Sequence, residues 1–429
     1  MKSALKSLVA ALLEVEARLV LAKYRPRVIA VTGSVGKTTT KDAIYALLAN
    51  SFFVRKSEKS FNSEIGIPLT VLGCPNGWMN PIVWGKTFFE GLALILLKNH
   101  YPKVLVLEIG ADRPGDIKNV SRWVRPDVVV VTRIPDVPVH VEFFDSPEAL
   151  ADEKAYLVRA LSSSGTLIVN VDDERVRNFR ALHTGKTLTF GFDSKADVVA
   201  SHYAPRYDGG KVNGIQFRVD YRGASVPVAI NGVLGRQHVY PALAALTVAL
   251  AEGVNLVSAV QELGRFVPPP GRMRILEGKS SVTVLDDTYN SSPAALEEAV
   301  RALGEVTVSG KKVAVLGDML ELGKDSATEH RRIGALVAAT CALLVTVGIR
   351  AKGFAEGALA AGLAEENILS FEDSRTAACA VPTLLAEGDL VLVKGSQSTR
   401  TERVVSELVR EQNRKAELLV RQEPEWLKR

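Results

Sequence analysis

The chain has 429 residues, of which 47% are apolar and 24% charged, and a net charge of +5. That length accommodates two or three domains, and the composition is that of a globular chain rather than a disordered one. The mild positive balance suits anionic small molecules and offers no argument for nucleic acid. Cys74, Cys341 and Cys379 lie far apart, which excludes a zinc ribbon or a disulfide framework and points to a reducing cytoplasm.

Residues 3–23 read as one helix. Leu5, Leu8, Val9, Leu12 and Leu13 recur at helical spacing, and Leu19 and Val20 extend the stripe. The spacing predicts a helix packed on the first domain, with a membrane-surface or partner-binding helix as the alternative. Lys2 and Lys6 precede apolar residues, but Glu14, Glu16 and Arg18 interrupt the run, so no signal peptide is expected. No uninterrupted apolar run reaches the ~18 residues that a spanning helix needs.

Val28 to Val31 is a short apolar run, read as a buried strand. Thr32, Gly33, Ser34, Val35 and Gly36 turn the chain, Lys37, Thr38 and Thr39 follow, and Ile44, Leu47 and Leu48 mark a helix. Strand, glycine turn, Lys-Thr and helix make a phosphate cradle. Glycines let backbone N–H groups face phosphate oxygens, and the helix N-terminus adds partial positive charge. Lys37 can reach β- and γ-phosphates, and the Thr38 hydroxyl can ligate Mg²⁺. The strict loop pattern has glycine where Val31 stands.

Phe52 to Val54 reads as a second strand, 61–70 as a polar loop entering a short helix near Pro68, and 82–98 as a second packed amphipathic helix. Val104 to Glu108 is a buried strand ending on a carboxylate. In parallel sheets ligands gather at such ends, so Glu108 is a candidate to meet what the phosphate loop holds. Strand 127–132 is followed by His140 and Glu142, then by a helix from Pro147 to Leu161 that carries Lys154. Composition alone makes Lys154 a solvated helix lysine and His140 a structural residue. Thr166 to Val171 is a strand, 187–233 reads as hairpins, and 235–250 as a buried alanine-rich helix. Pro268, Pro269 and Pro270 mark a stiff linker over 268–273. Beyond it, strands at 282–286, 313–317, 342–347, 367–371 and 389–393 alternate with helices at 293–303, 326–339, 351–361, 374–386 and 400–413. That alternation predicts an open, mostly parallel sheet with helices on both faces. Residues 414–429 read as a helical extension or a loose tail.

These motifs resemble the ATP-dependent Mur ligases, from about Val28 to about Leu408. The stretch Thr32 to Thr38 resembles that family's phosphate loop, whose usual form lacks the first glycine. Phe61 to Thr70, Leu107 to Asp116, Asp286 to Pro293, Leu316 to Gly323 and Val393 to Arg400 resemble further segments. The likeness is greatest to the members that add D-alanyl-D-alanine to UDP-N-acetylmuramoyl-tripeptide. The resemblance implies an α/β fold, with a P-loop ATPase-like central domain carrying added β-hairpins and a Rossmann-like C-terminal domain. Its expected divisions are an N-terminal helix at 1–27, an ATP-binding domain at 28–267, the linker, a ligase domain at 274–413 and a tail at 414–429.

It also implies a monomeric ligase of peptidoglycan precursor synthesis that forms an acyl phosphate at the expense of ATP. Lys37 and Thr38 would hold the β/γ-phosphates and a first Mg²⁺; Glu108 and His140 would serve a second. Lys154 stands fourteen residues after His140, the family spacing for a lysine that adds CO₂ and becomes a carbamate. Arg272 would reach the γ-phosphate, Asp287 and Asn290 would lie near the nucleotide, and Asn62, Lys394 and Arg400 near the other substrates. Two departures stand out. The family's adenine-side pattern has asparagines where this chain has His238 and Pro241, which leaves purine selectivity open. Only about thirty residues precede the phosphate loop, where the family has a domain for the uridine diphosphate end of the acceptor. The helices at 3–23 and 82–98 are expected to pack together and partly replace it. The alternative reading is a Mur-like amide ligase with another acceptor, such as a pseudopeptidoglycan precursor, a polyglutamyl chain or a lipid-linked peptide.

Overall fold

The computed structural model describes residues 3–58, 61–77, 80–136, 143–144 and 146–428, with side chains from Lys6 onward. His140 and Glu142 lie outside the described residues. Two sheets organise the chain. The first holds β1 (Arg27–Thr32), β2 (Val54–Lys56), β3 (Val104–Glu108), β4 (Val128–Val131), β5 (Thr166–Asn170), β6 (Lys186–Gly191), β7 (Val198–Asp208), β8 (Lys211–Tyr221) and β9 (Ala224–Asn231). Their order is β2-β3-β1-β4-β5-β6-β7-β8-β9. Pairing is parallel from β2 through β7, then antiparallel through β8 and β9.

Alternation along β1 shows how the sheet is buried on both faces. Ile29 and Val31 point into one core with Ile44, Leu47, Leu243 and Leu246. Val28 and Ala30 point into the other with Leu13, Ala17, Val20 and Trp84. Such double burial selects the apolar, β-branched runs that parallel strands show. The helix Ser3–Tyr24 thus packs on the sheet through Leu13, Ala17 and Val20. It also meets the helix Pro81–Leu96, since the Lys23 ammonium donates to the Leu94 and Ile95 carbonyls at 2.8 and 3.0 Å. The expected pairing of these two helices is therefore present.

The second sheet holds β10 (Arg274–Glu277), β11 (Thr283–Asp287), β12 (Lys312–Gly317), β13 (Leu343–Val347), β14 (Ile368–Phe371) and β15 (Leu390–Lys394), in the order β10-β11-β15-β12-β13-β14. All pairs are parallel except β10 with β11.

Four expectations are corrected. The second strand starts at Val54, because Phe53 is 43% exposed and Val54 is the first residue to pair with β3. Within 187–233, β6 is a parallel strand, and only β7 to β9 form hairpins. Their turns fall at Gly209-Gly210 and Arg222-Gly223, all with positive φ as two-residue hairpin loops require. The last long helix stops at Leu408, since Val409 turns extended and bridges Gly278. The C-terminal segment is not a loose tail. Leu418 and Leu419 are buried against the second sheet, and Arg421 is buried on Glu402.

Candidate functional site

The phosphate-loop candidate leaves the carboxyl end of β1 and enters the helix Lys37–Leu48. Gly33 has φ +134°, and a Cβ there would come within 2.0 Å of the Thr132 hydroxyl. Gly36 caps the helix with φ +86°, again a conformation that side chains disfavour. The loop is fastened to the end of β4. Ser34 N–H donates to the Arg133 carbonyl at 2.7 Å, and the Thr132 hydroxyl donates to the Val35 carbonyl at 2.7 Å. Thr32 is fully buried beneath the loop.

Parallel register brings Glu108 beside Val31, next to the loop. Its Oε1 accepts from the Thr38 hydroxyl at 3.2 Å, and its Oε2 lies 3.8 Å from the Lys41 ammonium. Glu108 is 1% exposed, and Oε2 has no hydrogen-bond partner among the described residues. With the Lys41 ammonium beyond hydrogen-bond reach, this buried carboxylate oxygen has room for a closer cation or donor. The Lys37 ammonium lies 3.4 Å from the Ser34 carbonyl, and burial lowers its pKa against the opposing charge of Glu108.

Lys154 is 2% exposed, on the helix Pro147–Arg159. Burial, then the positive charge of Lys37, lowers its pKa to about 7. A near-neutral amine facing a phosphate loop is the opposite of the solvated lysine that composition suggested. Its helix is tied down by the preceding residue: Glu153 accepts from Gly115 N–H at 3.0 Å and Lys118 N–H at 2.9 Å. Sequence reasoning passed over Glu153, because Lys154 and its neighbours look alike until the turn at 115–118 is folded against them.

Residues of the second sheet close the space. Arg272 donates towards the Thr38 hydroxyl at 3.5 Å and lies over the Tyr289 ring, 3.9 Å from its centre. Asp287 accepts from Met273 N–H at 3.1 Å and from the Lys394 ammonium at 2.6 Å, while Lys394 also donates to the Asn290 carbonyl at 2.8 Å. Lys394 thus holds the Asp287–Asn290 loop in place. Arg400 is 7% exposed and bonded to Glu402 at 2.5 Å and to the Trp426 carbonyl at 2.9 Å. His238 is 5% exposed, its Nε2 is without a hydrogen-bond partner among the described residues, and burial lowers its pKa to about 4. Pro241 sits beside the Gly36 turn.

One cavity of about 820 Å³ gathers Gly33, Ser34, Val35, Gly36, Lys37, Thr38 and Thr39 with Asn62, Glu108, Lys154, His238, Arg272, Asp287, Asn290, Lys394 and Arg400. Every candidate from the sequence lines it except Thr32, which lies below, and His140, which is not described. Tyr289, Ser396 and Trp426 also line it. No local pattern singled out Trp426, since its place depends on the docked C-terminal segment.

Known proteins match both halves of this site. The model of the Mur ligase middle domain matches residues 31–84 and 90–249, and that of the Mur ligase glutamate ligase domain matches 271–397. The chain is 29% identical over 396 residues to the UDP-N-acetylmuramoyl-tripeptide–D-alanyl-D-alanine ligase of Bacillus subtilis, covering 92% of this chain and 78% of that one. It is 30% identical over 402 residues to the ligase of that name from Mycobacterium tuberculosis, covering 89% and 72%. Among solved structures, the MurF ligase of Thermotoga maritima in complex with ADP aligns with a TM-score of 0.75 at 27% identity, over 95% of this chain and 84% of that one. With the phosphate loop, the linker arginine and all strands but the start of β1 inside the matched regions, the chain belongs to the Mur ligase family.

Proposed function

We propose that the protein joins D-alanyl-D-alanine to UDP-N-acetylmuramoyl-tripeptide with cleavage of ATP to ADP and phosphate, an amide-forming step of peptidoglycan precursor synthesis. The observation that carries this reading is the single cavity in which the phosphate loop, Glu108 and Lys154 face Arg272, Asp287 and Lys394. The acceptor and the dipeptide follow from the names of the relatives matched over most of the chain.

The reaction runs in two displacements. An acceptor carboxylate oxygen attacks the γ-phosphorus of ATP, the bond to the β-phosphate oxygen breaks, and ADP leaves. The dipeptide amine then attacks the acyl phosphate carbonyl, phosphate departs with the bonding pair, and the nitrogen loses a proton. The first step brings two anions together, so positioning and charge neutralisation are the main needs. Loop N–H groups and Lys37 hold the β/γ-phosphates, with Thr32 and Thr39 supporting the loop. Arg272, tethered over Tyr289, counters charge on the transferring group. Asp287, Asn290 and His238 face the nucleotide, while Asn62, Lys394 and Arg400 face the acceptor and the dipeptide.

The donors at Glu108 and Thr38 fit Mg²⁺: a buried carboxylate oxygen without a hydrogen-bond partner beside a threonine hydroxyl, both oxygen ligands. Thr38, Glu108, His140 and Lys154 as its carbamate would hold two such ions, which neutralise phosphate charge when bound. For the carbamate, the neutral Lys154 amine, its ammonium proton already lost, adds to CO₂: an N–C bond forms, a C–O π bond opens to the carboxylate, and one further proton leaves the nitrogen. Burial of the amine favours the neutral form that this addition requires. On this reading the working units are 28–267 and 274–413, the latter completed by the docked C-terminal segment and joined to the former through 268–273.

The test is phosphate release with ATP, Mg²⁺, UDP-N-acetylmuramoyl-tripeptide and D-alanyl-D-alanine, omitting each in turn. The expected result is release only with all four. Release without any need for the dipeptide would sink this assignment, and release with a different acceptor in place of the tripeptide would move the protein to another branch of the family.

A further inference from the structure

We propose that the paired helices Ser3–Tyr24 and Pro81–Leu96 dock the protein on an anionic lipid surface. The second of these is an apolar helix that the fold hardly covers: only Trp84, Thr87 and Gly91 of its sixteen residues are buried. Phe89, Leu92 and Leu96 stand 72%, 48% and 69% exposed, at spacings of three and four residues. Leu12, Val15 and Leu19 repeat the same spacing on the first helix, at 47%, 53% and 49% exposed. Three- and four-residue steps put each set on one face of its helix. The two helices are fastened side by side by Lys23, and the Tyr24 hydroxyl donates to the Leu94 carbonyl at 2.9 Å. Two apolar stripes of this kind on neighbouring helices exceed the scattered exposed residues that any surface shows.

Charge selects the occupant. Residues 1–27 contain six Lys and Arg against two Glu, and residues 80–103 contain three Lys against one Glu. These two segments therefore carry a net six positive charges, while the whole chain carries five. The net positive charge of the sequence thus falls in these two segments, where Lys6, Arg27 and Lys86 are paired with Glu64, Glu252 and Glu90. Arg25 and Lys98 are exposed just beyond the carboxyl ends of the two helices, and Lys103 is exposed at the entry to β3. A second copy docked through the same face would set like charges against each other, whereas an anionic headgroup layer accepts both the basic residues and the apolar stripes. No helix among the described residues is long and apolar enough to cross a membrane, so the mode is lying on the surface. The first helix runs through Arg25 and Pro26 directly into β1, the strand that ends in the phosphate loop. Docking would hold the nucleotide-binding unit at the lipid surface.

The experiment is co-sedimentation of the full chain with vesicles of phosphatidylglycerol and phosphatidylcholine, or of phosphatidylcholine alone, at low and high salt. Binding is expected to the anionic vesicles only, and to fall with salt. The double variants Phe89→Ser with Leu96→Ser and Lys98→Gln with Lys103→Gln should each weaken it about tenfold, with thermal unfolding and ATP binding unchanged. Those two controls separate loss of docking from loss of the fold. Absence of binding to anionic vesicles at low salt overturns the proposal, as does binding that both variants retain or that neutral vesicles match. A concentration-dependent dimer without vesicle binding would assign the face to a second copy instead.

Discussion

At the scale of single residues, the site turns on which charges the fold leaves unbalanced. Lys37 and Thr38 were legible in the sequence, because a phosphate loop is a local pattern whose geometry lies within a few bonds. Lys154 was legible only through family resemblance, since its lowered pKa depends on burial and on the distant Lys37. With a pKa of about 7, the amine is mostly neutral above that pH and protonated below it. Activity in CO₂-depleted buffer should therefore fall as pH drops through 7, and added bicarbonate should restore it, as followed by phosphate release. Lys154→Ala should lose roughly 100-fold in rate, the scale for groups that support metal ligands, and short carboxylates should restore part of it. Full activity in this variant would end the carbamate assignment.

Glu16 gives a second prediction at the same scale. Its Oε2 is buried without a hydrogen-bond partner among the described residues and abuts Gly91. Burial raises its pKa to about 7. The folded protein thus binds this proton more tightly than the unfolded chain, so the contribution to stability declines as pH rises from about 4.5 to about 7. Glu16→Gln removes that decline. The variant should melt at a higher temperature than the parent at pH 8, with the gap narrowing towards pH 5. A constant gap across that range would show that burial of the charge is not the cause.

At the scale of elements, the C-terminal segment shows how a weakly patterned stretch becomes part of the site. Arg421 donates to Glu402 at 3.0 Å and to the Thr288 carbonyl at 3.0 Å, and it also donates to the Tyr289 carbonyl. Trp426 accepts from Arg400 through its carbonyl. The segment therefore braces the loop that carries Tyr289 and Asn290. Arg421→Ala leaves the buried Glu402 with Arg400 as its remaining partner and strips its Oε2 of a donor, which should cost about 1–3 kcal/mol in denaturant unfolding. The same variant should raise KM more than it lowers kcat if the loop serves binding. A change under about 1 kcal/mol would mean that the ion pair is replaced by solvent. From sequence the segment looked loose because charge predominates, and its two buried leucines are too few to set a period.

At the scale of the whole molecule, the cavity belongs to neither sheet alone. Arg133, at the end of β4, pairs with Glu298 at 3.4 Å, and Arg272 crosses from the linker to Thr38. A nucleotide bound between the sheets should stabilise both together. ATP with Mg²⁺ at about a hundred times its Kd should add about 2.7 kcal/mol to unfolding and keep the two halves melting in one transition. Separate transitions, only one of which moves with ATP, would show that the second half does not touch the nucleotide.

The alternation of strands and helices, the phosphate loop and the linker prolines are local, and their residues carry the necessary backbone and burial preferences within short windows. The antiparallel edge strand β10, the short final helix and the docked C-terminal segment were not legible, because each depends on a partner far along the chain. The same holds for chemistry. Glu108 was nameable as a strand-end carboxylate, but its oxygen without a hydrogen-bond donor exists only because parallel register sets it beside Val31 and the fold buries it. Residue type supplies a group's proton and charge, and long-range packing sets which of its forms is stable.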